Sequence, residues 1–191
     1  MKIYDPSLRN LNKHNFLLDD EFIFLDIEAS GVGSSSFPIE VAYASSTGDK
    51  NSYLIKSTDD WKNNGLWCSN AEFSIHEISQ DMLAQYGIDP VDVAHVLNNA
   101  LCGRLVLCND LDYDGVWLTQ LFKAANIGVM FSLTDIRFIY ELWGEEKTHN
   151  FKQGYEAIAP STIHRALPDA QRFVDAFNMT INNTVQHKTI F

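Results

Sequence analysis

The sequence has few cysteines, and nothing in their arrangement builds a site. Cys68, Cys102 and Cys108 are an odd set without a Cys-x-x-Cys spacing. That argues against a disulfide framework or a zinc site and favours a reducing, cytoplasmic setting. The three thiols are expected to be buried and inert. Long apolar runs are lacking too: none approaches the roughly 18 residues of a transmembrane helix, so no membrane partner is expected. Residues 1–20 are polar and mixed in charge and lack the apolar core of a signal peptide. Positive charge is scarce, with 14 Lys and Arg against 25 Asp and Glu and a net charge of −11. This opposes a broad basic face for long duplex nucleic acid. It leaves room for a small site that neutralises phosphate with bound cations, because a metal inverts the local field. No internal repeat or low-complexity segment stands out.

The 191 residues suit one domain with a sizeable core. Residues 1–20 read as an N-terminal extension, with Phe16, Leu17 and Leu18 docking on the core. The folded domain is expected over 21–182, and 183–191 as a polar, frayed tail. Strands are expected at Phe22–Ile27, Ile39–Ala44, Ser52–Ile55, Leu105–Leu107 and Val129–Leu133. Residues 31–38 and 45–50 are turns by composition. Thr58–Trp67 reads as irregular, anchored by Trp61 and Trp67, and Glu72–Met82 as helical or turn-rich. Val91–Leu101 is a helix, with Asp89 as its cap and Pro90 in its first turn. Further helices are expected at Asp114–Ala125, Ile136–Trp143, Phe151–Ile158 and from near Pro168 to about Met179. Three strands followed by strands alternating with helices give an α/β domain: a mixed five-stranded sheet flanked by helices.

The first strand carries the most telling pattern. Phe22-Ile23-Phe24-Leu25 runs straight into Asp26-Ile27-Glu28. Strand alternation points Asp26 and Glu28 the same way. Two carboxylates side by side at a core strand repel each other and resist desolvation, and a divalent cation is the usual compensation. Taken alone, the pair fits a solvated strand end better, since acids are mostly exposed. Three other groups bear on the choice. Asp114 follows Tyr113 at a helix start, where an Asp is commonly a cap, and Asp110 and Asp112 compete with it. Asp169 sits early in the last helix with His164 just ahead. His76-Glu77-Ile78 precedes Ser79, and by default His76 is a structural histidine.

Together and in this order, these groups resemble the DEDDh class of 3′→5′ exonucleases, whose fold is ribonuclease-H-like. That class includes the proofreading subunit of bacterial DNA polymerase III, ribonuclease T and oligoribonuclease. Asp26-Ile27-Glu28 resembles the first motif, and Phe37-Pro38-Ile39-Glu40-Val41 the strand after it. His76-Glu77-Ile78-Ser79 is similar to a His-Gly-Ile-Thr stretch. Tyr113-Asp114-x-x-Trp117-Leu118 resembles the second motif, and His164-x-Ala166-Leu167-x-Asp169-Ala170 the third. The resemblance spans roughly residues 22–178. Ala29 departs from the usual Thr, Asn109-Asp110 from the usual His-Asn, and Glu77 from the usual Gly. These departures bear on substrate preference more than on the metal ligands.

The resemblance implies a metal-dependent 3′→5′ exonuclease that releases nucleoside 5′-monophosphates from the 3′ end of single-stranded DNA or RNA. The rival reading is a catalytically idle nucleic-acid-binding or adaptor protein on the same fold, which would be expected to have lost one of the five residues. Asp26, Glu28, Asp114 and Asp169 would hold two Mg²⁺ or Mn²⁺ ions about 3.5–4 Å apart, with Asp26 bridging. His164 would be the general base. Backbone groups of Ala29, Ser30 and Gly31 would approach the sugar, and His76, Ile78, Tyr113 and Trp117 are candidates for base or sugar contact. Arg165 and Lys152 would reach phosphates. Few basic residues suggest a grip on a few nucleotides of single strand. Family members often dimerise, so a homodimer stays open.

Overall fold

The computed structural model describes residues 21–33 and 35–188, with side chains described as far as Asn182. The expected extension, including Phe16, Leu17 and Leu18, lies outside the described residues, as do positions 189–191. Five strands, β1 (Ile23–Ala29), β2 (Pro38–Ser45), β3 (Lys50–Leu54), β4 (Leu105–Cys108) and β5 (Ser132–Asp135), form one sheet in the order β3-β2-β1-β4-β5. β1 is antiparallel to β2 and parallel to β4; β2 and β3 are antiparallel, β4 and β5 parallel. The sheet is therefore mixed, and its central strand is the one with the longest apolar lead-in.

Helices cover both faces: α1 (Asp59–Asn64), α2 (Ser69–Ala71), α3 (Gln80–Tyr86), α4 (Pro90–Leu101), α5 (Leu111–Ala125), α6 (Arg137–Ala157) and α7 (Ala166–Lys188). A π-turn at Glu72–His76 follows α2. Alternation along β1 divides the core in two. Ile23, Leu25 and Ile27 pack with Val93, Leu97, Leu118 and Phe122 of α4 and α5. Phe22 and Phe24 pack with Phe173, Val174 and Phe177 of α7 and Phe151 of α6. Asp26 and Glu28 continue the parity of Phe22 and Phe24, so they emerge where β1 runs out beside α7. No helix among the described residues is long and apolar enough to cross a membrane.

Several expectations are corrected. The fifth strand is Ser132–Asp135 rather than Val129–Leu133. Asn98 of α4 takes the backbone upstream, its amide donating to Gly128 O at 2.8 Å and its Oδ1 accepting from Met130 N at 2.8 Å. α5 begins at Leu111, because Asp110 is the cap and accepts from Asp112 N at 3.0 Å. α1 forms where an irregular stretch is expected, capped by Thr58, which accepts from Trp61 N at 3.1 Å. The two helices expected between 136 and 158 are present within α6, parted by a kink at Gly144 with φ 75°, and the second starts ahead of the expected Phe151. α7 starts two residues before Pro168 and continues to Lys188, past the expected end and into the expected tail. Of the thiols only Cys108 is buried; Cys102 is exposed just beyond α4 and Cys68 is half-buried.

Trp61 is an anchor, as expected, stacking on Phe37 at 5.4 Å between ring centroids. Gly65 closes α1 against that stack. A Cβ there would lie 2.4 Å from the Trp61 carbonyl oxygen and 2.6 Å from the Phe37 ring. Gly65→Ala is therefore expected to cost about 1–3 kcal/mol by overpacking, read as a lower urea midpoint at unchanged slope.

Candidate active site

Three elements deliver the acids. The β1–β2 register pairs Glu28 with Glu40 and then shifts between Glu28 and Ala29. On α5, Tyr113, Asp114 and Trp117 fall within one turn. Asp114 is buried, and its Oδ2 accepts from Asp110 N at 3.3 Å. Asp169 lies in the first turn of α7.

The approach to α7 is held by an ion pair between buried Glu40 and half-buried Arg165. Arg165 donates to Glu40 through Nε at 2.9 Å and Nη2 at 2.7 Å, and Ala166 N donates to the same carboxylate at 3.0 Å. Ser52 Oγ adds a donor at 2.9 Å. Burial alone would raise the Glu40 carboxyl, but these hydrogen bonds and the Arg165 charge bring it below the ordinary carboxylate range. One residue back, His164 N donates to Ile75 O at 2.8 Å. The loop carrying His164 is thus fixed on both sides. Its imidazole Nδ1 sits 3.4 Å from Asp169 Oδ2 and its side chain is largely exposed.

These residues meet in an open cavity of about 400 Å³ lined by Asp26, Ile27, Glu28, Val32, Asn109, Asp110, Tyr113, Asp114, Trp117, His164 and Asp169. All five residues expected to carry the chemistry are therefore brought together. Ligand atoms of Glu28, His164 and Asp169 lie within 4.8 Å of one another. Burial first, then the charges of Asp114, Glu28 and Asp169, pushes the Asp26 carboxyl well above its usual range. Burial, then Asp169 and Glu40, raises Glu28 to about 7. Burial likewise raises Asp114 to about 7, opposed by the hydrogen bond from Asp110 N. Asp169 is raised by burial and held back by His164 and Arg172.

This donor set fits hard divalent cations: carboxylate oxygens in a cluster, poorly tolerated as bare charges, with no Lys or Arg among the lining residues. The folded state favours protonated Glu28, so that stability is complete below its unfolded pKa and is lost as pH rises through about 7. A rise from 4.5 to about 7, at 1.36 kcal/mol per unit, makes the loss about 3 kcal/mol for the metal-free protein. Urea unfolding in EDTA should be easier at pH 8 than at pH 5, and excess Mg²⁺ or Mn²⁺ should restore much of the difference at pH 8.

The expected substrate contacts divide. Tyr113 and Trp117 line the cavity, with ring centroids 5.6 Å apart. Trp117 Nε1 donates to Ser36 Oγ at 2.9 Å, and Ser36 Oγ donates to Gly33 O at 2.7 Å, so the ring also fastens the loop after β1. Ser30 is fully buried and internally bonded. Its N donates to Phe37 O and its O accepts from Cys68 N, while its Oγ donates to Leu66 O and accepts from Phe37 N. Ala29 and Gly31 are buried beside it; a Cβ on Gly31 would lie 2.9 Å from Cys68 Cβ. His76 and Ile78 are buried and do not line the cavity. His76 Nδ1 accepts from Ile78 N at 3.0 Å, closing a turn in which Glu77 has φ 53°. Left-handed backbone at that position explains why Gly would suit it. Arg165 is taken by Glu40, and Lys152, exposed over the Tyr140 ring, does not line the cavity. The sequence reading missed Val32 as a lining residue and Glu40 as the clamp. An acid between Ile39 and Val41 in an all-buried strand is the signal that a cation must meet it.

No family model matches the sequence, and neither does any curated protein. Solved structures do match. The fold is that of ribonuclease-H-like exonucleases, in keeping with the resemblance read from the sequence. Particular neighbours are exonuclease I structures. The zinc-bound form of the Escherichia coli enzyme in complex with single-stranded DNA has a TM-score of 0.64 at 15% identity, covering 86% of this chain and 41% of that one. The same enzyme in complex with a dT13 oligonucleotide gives 0.60 at 16% identity, over 90% and 42% of the two chains. The moderately thermophilic exonuclease I from Methylocaldum szegediense gives 0.62 at 15% identity, over 85% and 40%. This chain spans about two-fifths of the length of those proteins.

Proposed function

We propose that this chain is a metal-dependent 3′→5′ exonuclease acting on the 3′ end of single-stranded DNA or RNA and releasing nucleoside 5′-monophosphates. The observation that carries the reading is the convergence of Asp26, Glu28, Asp114, Asp169 and His164 from β1, α5 and α7 on one open cavity. Asp26, Glu28, Asp114 and Asp169 would hold divalent cations, which when bound supply charge neutralisation on the phosphate and an acidified water.

The chain's own groups do the rest. His164 at the cavity mouth takes the proton from the attacking water. Asp169, beside Nδ1, orients the imidazole. Tyr113 and Trp117 offer ring faces to the terminal bases, and stacking of this kind accepts any base. Because the Trp117 ring is already tethered through Ser36, little ordering is left for binding. The test is incubation with 5′-labelled single-stranded DNA and RNA in Mg²⁺, then in EDTA. Stepwise shortening in Mg²⁺ alone is expected. Binding without shortening would favour an idle nucleic-acid-binding protein on the same fold.

A further inference from the structure

We infer that the cavity between α1 and α5 is a second contact site for the strand, holding a phosphate upstream of the scissile bond on Lys123, an inference that rests on the exonuclease reading above. That cavity has a volume of about 520 Å³, and its lining includes Ser35, Thr58, Asn64, Gln120, Lys123 and Ala124. It adjoins the carboxylate cavity. Tyr113 and Trp117 line the first, Gln120 and Ala124 the second, and these four fall along one face of α5. The partition between the two is Trp117 with the loop after β1. Trp117 Nε1 donates to Ser36 Oγ at 2.9 Å. Ser35, the residue before, lines the second cavity, and its carbonyl accepts from Leu66 N at 2.8 Å. A strand that leaves the carboxylates across the Trp117 ring comes directly onto this second cavity.

The two cavities differ in the sign of what they offer. The carboxylate cavity has no Lys or Arg in its lining, so cations must come from solution to receive the scissile phosphate. The second cavity brings its own. Lys123 is exposed, and its ammonium has no ion pair or hydrogen bond among the described residues. Asp60, the carboxylate in the same lining, is engaged by Asn64 Nδ2 at 2.7 Å. Gln120 is half-buried on the same wall, with an amide that can donate or accept. An unpaired lysine is a flexible point charge suited to phosphate. From Asp114 to Lys123 is about 13.5 Å along the helix axis. Adjacent phosphates on a strand lie closer together than that, so the contact falls to a phosphate further upstream. A dinucleotide forgoes it, and a longer strand makes it.

The test measures shortening of a 5′-labelled dinucleotide and of a single strand of about twenty nucleotides, in Mg²⁺, across monovalent salt. Lys123→Gln should lower kcat/KM on the long strand about threefold or more through KM, and make its log–log salt slope shallower by about 0.7, the loss of one phosphate contact. Its rate on the dinucleotide should not change. Ala124→Trp, at an exposed position of α5, fills the cavity and should weaken the long strand selectively in the same way. Lys56→Gln removes an exposed lysine that lines neither cavity and should leave both substrates as they are. No loss on the long strand in Lys123→Gln, an equal loss on both lengths, or the same slope change in Lys56→Gln would overturn the inference and leave the exonuclease reading intact. Both strands left whole by the unaltered protein would overturn that reading and the inference with it.

Discussion

Asp26→Asn is expected to reduce strand shortening by about 10³-fold or more while making the metal-free protein more stable. Both effects follow from one carboxyl group. Asp26 lies at the end of a buried strand among three other acids, and its pKa is pushed up by burial and then by Asp114, Glu28 and Asp169. A group raised in this way contributes stability below its unfolded pKa and loses it as pH rises through the folded value. Asn is nearly isosteric and carries no charge, so above neutral pH the variant escapes that loss. A gain of 1 kcal/mol or more would move Tm by about 2–4 °C in a chain of this size. On the proposed function activity falls because a cation ligand would be lost, while the fold would tolerate the change and be stabilised by it. Thermal melts in EDTA at pH 8, set beside rates in Mg²⁺, read both signs. A variant that is less stable and inactive would point to a structural role for Asp26 instead.

His164→Ala is expected to lower the rate by about 10²–10⁴-fold with a small change in KM. The loop should survive, because its anchors are the backbone bond from His164 N to Ile75 O and the Arg165–Glu40 pair, neither of which uses the imidazole. The rise in Tm on adding Mg²⁺ or Mn²⁺ should therefore persist in this variant and shrink in Asp26→Asn. His164 lies within ligand distance of Glu28 and Asp169. That makes the thermal readout decisive between a base and a ligand: loss of the metal-induced shift in His164→Ala would sink its assignment as the base.

Much of this site was legible in the sequence because chemistry imposes order on residue types. An apolar strand that ends in Asp-x-Glu, an Asp beside aromatics on a helix, and a His five residues before an Asp each have a bland reading alone. Their sequence order is what raised them to a site, and the fold brings all five to one cavity. The sheet was legible as well, since the parity of Phe22, Phe24, Asp26 and Glu28 follows from strand alternation. What escaped depends on long-range partners. Asn98 reaches across 30 residues to take the backbone at Gly128, and this moved the fifth strand. Arg165 reads from sequence as a phosphate ligand, but Glu40, 125 residues away, holds it. His76 and Ile78 looked like contacts from their motif, but they are buried in a turn that their own hydrogen bond closes. Local pattern names the residues; which ones are spoken for is decided by partners the pattern does not show.

The most direct test of the central claim is the first product released from a single strand labelled on its 3′-terminal nucleotide. In Mg²⁺ the label should appear at the earliest time points as a nucleoside 5′-monophosphate, and in EDTA it should stay on the strand. Release of the label first as an oligonucleotide, or its retention in Mg²⁺, would contradict the account.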